Sequence, residues 1–356
     1  MKKPFTLVAL GLFAAAVPMH AQTLDGQVQA SEGYTRLSQY TSTVRGFGDH
    51  GLVALYAKTT ATKVYIALTG ALETNGNSFQ IYLNIPGKTG VASGTALPVS
   101  SITGTSFEKA APIMEMEVDY GFGVKGGATT SASSIIDYTS VTGGKAADQQ
   151  IGNLPIAGTL VTAPTTLTGG LNKTRMAFLN VNLLTAHTGA QGWEIELDKA
   201  DLGIADGATL QLFAAQNNGD GGYFSSDVLP EVTGNTSTTN SGNLATNPNF
   251  VTLAGTQFIT YTATVMATRE AVASALKFGV YPNPSAGAAQ VSYVIPGGQQ
   301  EVALEVFNAL GQRVRSLAAG KQAGAQLYSF DNLAAGAYFV KLRVGTQFTS
   351  QKVVVE

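Results

Sequence analysis

Phe79-Gln80-Ile81-Tyr82-Leu83-Asn84-Ile85 has an apolar residue at every odd position and a polar or amphipathic one between. Successive side chains of a strand point to opposite faces, so Phe79, Ile81, Leu83 and Ile85 share one face. Gln80, Tyr82 and Asn84 then share the other and are expected to point outward. A helix would instead repeat its apolar stripe every three to four residues. The preceding run, Val64-Tyr65-Ile66-Ala67-Leu68-Thr69, sends Val64, Ile66 and Leu68 inward and Tyr65 and Thr69 outward. Similar runs at 52–58, 113–120, 193–197, 209–215 and 257–265 are separated by Gly-, Asn- and Thr-rich connections. Segments 86–106 and 125–175 are rich in Gly, Ser, Thr and Ala and read as long loops or edge strands. Asp198-Lys199-Ala200-Asp201-Leu202-Gly203 is expected to form one helical turn, with Asp198 as N-cap and Gly203 as its stop. The expectation is an all-β chain whose residues 22–265 form a jelly-roll-like antiparallel β-sandwich.

The chain has 356 residues, of which 12% are charged, and a net charge of −2. That length supports more than one core. The near-neutral charge gives no electrostatic basis for binding nucleic acid. There is no cysteine, which excludes disulfides, thiolate metal sites and cysteine nucleophiles. Low charge with abundant Gly, Ser, Thr, Asn and Gln fits an extracellular β-protein with a hydroxyl- and amide-rich surface.

The two ends read as export signals. Met1-Lys2-Lys3 is basic, residues 5–17 are apolar, and Pro18-Met19-His20-Ala21 leads to a cut before Gln22. This pattern predicts a secretory signal peptide over 1–21 and no membrane span after its removal. Residues 266–277 lose the alternation and read as a linker. Strands return near 290–295, 302–307, 313–317, 327–330, 338–344 and 347–355, spaced as in a small Ig-like β-sandwich over 278–356.

This second block opens with Tyr281-Pro282-Asn283-Pro284-Ser285-Ala286-Gly287 and has a turn at Asn308-Ala309-Leu310-Gly311-Gln312. It continues through Gly336-Ala337-Tyr338-Phe339-Val340-Lys341 and ends in Lys352-Val353-Val354-Val355-Glu356. In that order at the C-terminus it resembles the type A sorting domain of the type IX secretion system of Bacteroidetes. Pro282, Asn283, Pro284 and Gly287 match the family's opening motif, and Gly311 and Gln312 its central turn. Gly336, Tyr338 and Lys341 match the penultimate strand, and Lys352 begins the last. The resemblance implies passage by the general export route, recognition by the type IX translocon, and attachment to surface lipopolysaccharide.

Chemistry is then to be sought in 22–265. Tyr65, Gln80, Tyr82 and Asn84 form a candidate glycan-binding face, with rings for stacking on sugars and amides for their hydroxyls; Trp193 shares parity with Ile195 and Leu197 and belongs in the core. Two acidic stripes, Glu115/Glu117/Asp119 and Glu194/Glu196/Asp198, allow two readings: solvated strand faces, or the paired carboxylates of a polysaccharide hydrolase. The first unit also resembles family 9 carbohydrate-binding modules and DOMON-like sandwiches, through Val64–Gly70, Trp193–Leu197 and Leu210–Ala214. Asn217, Asn218 and Asp220 in a glycine-rich turn offer oxygens suited to calcium, while no Met/His pair is placed to ligate a haem iron; beyond calcium no cofactor is expected. The leading expectation is a non-enzymatic surface protein that binds glycan or matrix or serves a structural role. A secreted hydrolase and a self-assembling surface layer or filament stay open beside it.

Overall fold

The structure is a computed structural model and describes residues 22–167, 169–234, 242–264, 272–273, 275–345 and 347–356. The expected signal peptide and most of the expected linker lie outside the described residues. The chain divides into two compact units, one ending at residue 265 and one beginning at 266.

In chain order, the first unit contains β1 (Thr35–Gln39), β2 (Gly51–Thr59), β3 (Lys63–Ala71), β4 (Ser78–Asn84), β5 (Tyr120–Lys125), β6 (Thr130–Thr142) and β7 (Lys145–Pro155). It continues with β8 (Val161–Thr162), β9 (Arg175–Phe178), β10 (Gly192–Asp198), α1 (Lys199–Leu202), β11 (Ala208–Asn217), β12 (Tyr223–Leu229), β13 (Ala245–Thr246) and β14 (Ile259–Ala263). These strands make two sheets. One has the order β1-β2-β3-β10-β9-β8; the other runs β13-β12-β11-β4-β5-β6-β7, with β14 also paired to β11. All these ladders are antiparallel. The chain changes sheet between β3 and β4, between β7 and β8 and between β10 and β11, so both sheets are built from separate stretches of the chain.

The core between the sheets is made by the odd positions of β4, namely Phe79, Ile81 and Leu83, with Val64, Ile66 and Leu68 of β3 and Trp193, Ile195 and Leu197 of β10. Trp193 is fully buried there, as strand parity predicts. The helical turn also forms as expected. Asp198 caps α1 by accepting the Asp201 amide, and Gly203 ends it at φ 71°, a left-handed conformation that glycine adopts at no steric cost.

A second apolar layer covers the far face of the eight-stranded sheet, and here parity misleads. Tyr82, Tyr138, Phe213 and Phe224 of the strands pack with Phe107, Met114, Met116, Val118 and Phe250 from the connections. Ring centroids of Phe213 and Phe250 are 4.6 Å apart, and those of Tyr82 and Phe107 are 6.1 Å apart. Gly121 and Gly123 make this approach feasible. A Cβ on Gly121 would lie 3.1 Å from the Phe107 ring, and one on Gly123 would collide with the Ser106 hydroxyl. Glycine inside a strand often marks such a close approach. Residues 113–119, expected as a strand, belong instead to this covering layer; the strand begins at Tyr120. Part of 125–175, expected as loop or edge strand, forms the long hairpin β6–β7, turned by Gly143 and Gly144 at φ 60° and 73°.

The second unit holds β15 (Gly279–Tyr281), β16 (Ala289–Asn308), β17 (Arg313–Phe330), β18 (Gly336–Val344) and β19 (Gln347–Val355). One curled antiparallel sheet runs β15-β16-β18-β19, with β17 along the other edge of β16. Two pairs of expected short strands are each one long strand here, carried through Gly297 and Gly298 in β16 and Gly320 and Gly324 in β17, all at positive φ. Val272 and Leu276, within the expected linker, are buried in this unit's core with Val291, Leu304, Val340 and Val353. The end of that segment is therefore part of the fold.

Candidate functional site

The outer face of the six-stranded sheet carries a group of ionisable side chains that includes Glu32, Lys58, Lys63, Arg175, Glu194 and Glu196. Parity sends Glu194 and Glu196 of β10 away from the core, yet both are buried, at 0% and 1% exposure. The segment following Gln22 lies over Glu194. Glu194 accepts the amides of Asp25 at 2.9 Å and Gly26 at 2.8 Å and the hydroxyl of Tyr34 at 2.7 Å. The Gln22 side chain donates to Glu32 at 3.1 Å and accepts from Lys58 at 2.7 Å. Burial raises the Glu194 carboxyl to about 7, against the opposing pull of Tyr34 and the Asp25 amide. Burial likewise raises Glu32 and lowers Lys58.

Glu196 has the opposite balance. Burial pushes its carboxyl up, but Arg175 and Lys63 outweigh that and hold it below its ordinary value. Arg175 Nε donates to it at 2.9 Å, and Lys63 Nζ lies 3.4 Å away. Tyr65, expected to face outward as a stacking ring, is 6% exposed and packs with Leu24 and Ala177 on this face. Its hydroxyl is raised by burial and by Glu196.

The other expected glycan-face residues lie on the eight-stranded sheet and do not join Tyr65. Gln80 and Tyr82 are fully buried, which corrects their outward assignment. Tyr82 donates to Gln80 at 2.6 Å, and Asn84, half-buried, donates to Gln211 at 2.7 Å. The Glu115/Glu117/Asp119 stripe is likewise committed to structure. Glu115 accepts the Gln257 amide, Glu117 the Gly90 amide at 2.9 Å, and Asp119 the Ile85 amide at 2.6 Å. Burial and the nearby Glu117 and Asp137 raise Asp119 to about 6, against the Ile85 amide and Lys88. Glu115 and Glu194 are on different layers, so the two acidic stripes make no shared cleft.

In the turn between β11 and β12, Asn217 accepts from Ser78, and Asn218 Oδ1 accepts the Tyr223 amide at 3.0 Å. Asp220 pairs with Lys109 at 2.8 Å and accepts the Gly222 amide at 3.1 Å. The three expected calcium ligands thus already have protein donors. Among the described residues, no three Asp, Glu or His side chains are grouped to hold a metal ion.

Strand parity does not reveal an aromatic pair formed by half-buried Phe47 and exposed Tyr223. Phe47 and Tyr223 stack with centroids 6.4 Å apart and planes at 15°, and Tyr223 is 37% exposed. The two lie far apart in sequence, and no local pattern links them.

In the second unit the sorting-motif residues connect the two ends of the fold. Asn283 donates to the Lys352 carbonyl at 2.7 Å and accepts the Val354 amide at 3.0 Å. The opening motif is thereby tied to the terminal strand. Asn308 caps the central turn by accepting the amides of Leu310 and Gln312, each at 3.0 Å, with Gly311 at φ 79°. Tyr338 donates to the Ala334 carbonyl at 2.9 Å. Lys341 and Lys352 are exposed on the outer face of the sheet, with Lys341 Nζ 4.2 Å from the centre of the Phe307 ring. Gly287, at φ 96°, needs the conformational freedom of glycine; Pro282 and Pro284 are exposed beside Asn283.

No curated protein matches the chain. Among solved structures, dimeric latent PorU from Porphyromonas gingivalis is 11% identical over 90% of this chain and 34% of that one, with a TM-score of 0.20. The BSP domain of a biofilm-associated protein is 10% identical over 93% and 53%, with a TM-score of 0.20. The FN1–FN3 domains of chicken CNTN1 are 9% identical over 85% and 97%, with a TM-score of 0.18. This chain thus spans about a third of the PorU structure and about half of the BSP structure. No helix among the described residues is long and apolar enough to cross a membrane. Residues 279–356 match the secretion system C-terminal sorting domain, and that type IX tail marks the chain as a secreted or outer-membrane surface protein.

Proposed function

We propose that the first unit is a non-enzymatic β-sandwich displayed at the cell surface in a structural role, delivered there by the sorting tail. The observation that supports this is how the acidic side chains are used. Glu115, Glu117, Glu194 and Glu196 each accept backbone amides or pair with cations inside the fold. A glycosidase needs two carboxylates facing each other across a substrate cleft, free to move protons. Carboxylates committed to holding loops against sheets serve architecture instead.

A second reading keeps a glycan or matrix ligand but moves it to Tyr223, exposed and backed by half-buried Phe47, since aromatic rings suit the flat faces of sugars. The test is to incubate the purified protein with a panel of polysaccharides, measuring retention and newly released reducing ends. A structural role predicts neither. Retention lost in Tyr223→Ala would favour the glycan reading. Reducing ends that vanish in Glu194→Gln or Glu115→Gln would replace both with a hydrolase.

A further inference from the structure

The outer face of the second unit's sheet has a composition that a free surface rarely carries. Antiparallel pairing places Phe307, Phe339 and Lys352 in one row, Glu305, Lys341 and Ser350 in the next, and Ala303, Arg343 and Phe348 in a third. Directly paired residues present their side chains on the same face. Phe339 is 38% and Phe348 56% exposed, while Lys341, Arg343 and Lys352 are all exposed. Arg313 joins them from β17, held at 2.6 Å by Glu305. These three rows therefore present four cations and a single acid, which is already paired, with the paired Glu301 and Lys321 in the row beyond, and Lys341 sits over the Phe307 ring. The inward residues of the same strands, among them Val340, Leu342 and Val353, are fully buried, so this surface is rigidly held.

Aromatic rings and arginine are enriched at protein interfaces, where rings act as anchors, and surrounding charges set the partner's register. We infer that this face docks on a protein surface of complementary make-up, with carboxylates set around an apolar patch. The inference rests on the reading of residues 279–356 as a sorting domain, and it assigns the partner to the export machinery. An array with cations between the rings favours a protein over a lipid surface, because a bilayer rewards one continuous apolar face.

The test uses the full chain in a host with an active type IX system, measuring the amount delivered to the surface or medium. Three forms are compared with wild type: Arg343→Glu, the double variant Phe339→Ser/Phe348→Ser, and Lys145→Glu, which changes an exposed cation of the first unit. Delivery should fall on the order of tenfold in the first two and stay unchanged in the third. Unaltered thermal unfolding of the purified variants would show that the loss is not misfolding. Normal delivery of both face variants, where deletion of 278–356 abolishes delivery, would overturn the face and leave the sorting reading intact. Normal delivery of the deletion form would overturn the sorting reading itself. Retention on vesicles of equal phosphatidylglycerol and phosphatidylcholine, lost in Phe339→Ser/Phe348→Ser while delivery is normal, would replace the protein partner with lipid.

Discussion

The Tyr34 hydroxyl donates to the Glu194 carboxylate at 2.7 Å, joining the start of the described chain to the middle of the six-stranded sheet. Three donors favour the ionised carboxylate, yet burial prevails and leaves it near 7 rather than at its ordinary 4.5. The sign of the pH dependence follows. Between those two values the folded state holds a proton that the unfolded state has released, so the group's contribution to stability declines as pH rises. Neighbouring Glu32 is raised by burial and acts in the same direction. Unfolding of wild type and Glu194→Gln should be compared from pH 5 to pH 8. Whatever the constant cost of the substitution, the variant should gain on wild type by about 1–3 kcal/mol across that interval. A constant difference would mean that Glu194 titrates normally.

Tyr82 should behave as a core residue. It is fully buried, touches Phe107, Tyr138 and Phe213, and its hydroxyl is the donor to Gln80. Tyr82→Ala should cost about 3–5 kcal/mol through the cavity it leaves. Tyr82→Phe keeps the ring but leaves the Gln80 oxygen buried without that donor, at about 1–3 kcal/mol. Urea unfolding of the purified protein would measure both. A cost near zero for Tyr82→Ala would restore the solvent-facing position that strand alternation suggests.

Alternation identified the faces of β4 and β10 correctly but not what lies against them. Phe79, Ile81 and Leu83 meet the opposite sheet, as the pattern requires. Gln80 and Tyr82 are on the opposite face, as the pattern also requires, but a layer of connecting chain buries them. Period two reports direction alone; burial depends on what other parts of the chain cover. A local clue was present in Tyr120-Gly121-Phe122-Gly123-Val124, where glycine at every outward position makes room for a close neighbour. Glu194 and Tyr34 lie 160 residues apart in sequence, so no local pattern could connect them. The tail was legible because its motifs stand in a recognisable order; the Asn308–Gln312 turn acts through neighbouring backbone, whereas the bond from Asn283 to Lys352, 69 residues on, is visible only in the fold.

The turn after β11 allows a direct test of calcium. Burial pushes the Asp220 carboxyl up, but Lys109, the Gly222 amide and Asn218 together outweigh it and hold it below its ordinary value, and a cation entering the turn would have to displace that lysine. Millimolar calcium and excess chelator should therefore leave the thermal midpoint the same to within about 1 °C. A calcium-dependent rise abolished by Asp220→Ala would establish a site.

Asn283 supplies a physical reason for both ends of the sorting domain to be needed. Its amide hydrogens bond the Lys352 carbonyl while its oxygen accepts the Val354 amide, so one side chain closes the terminal strand onto the opening motif. Asn283→Ala removes both bonds and should cost about 1 kcal/mol, modest because the residue is exposed. Local opening is the more sensitive measure. Hydrogen exchange at the Val354 amide should quicken on the order of tenfold in Asn283→Ala, since 1.4 kcal/mol corresponds to that factor. Asn283→Asp keeps the acceptor for Val354 but sets a carboxylate against the Lys352 carbonyl, so its effect should be intermediate. The Ser285 amide, bound to the Val354 carbonyl at 2.8 Å, should exchange faster in parallel if the two segments separate together. Unchanged exchange at both amides in Asn283→Ala would show that β19 is held by its ladder with β18 alone, and the opening motif would then need another explanation.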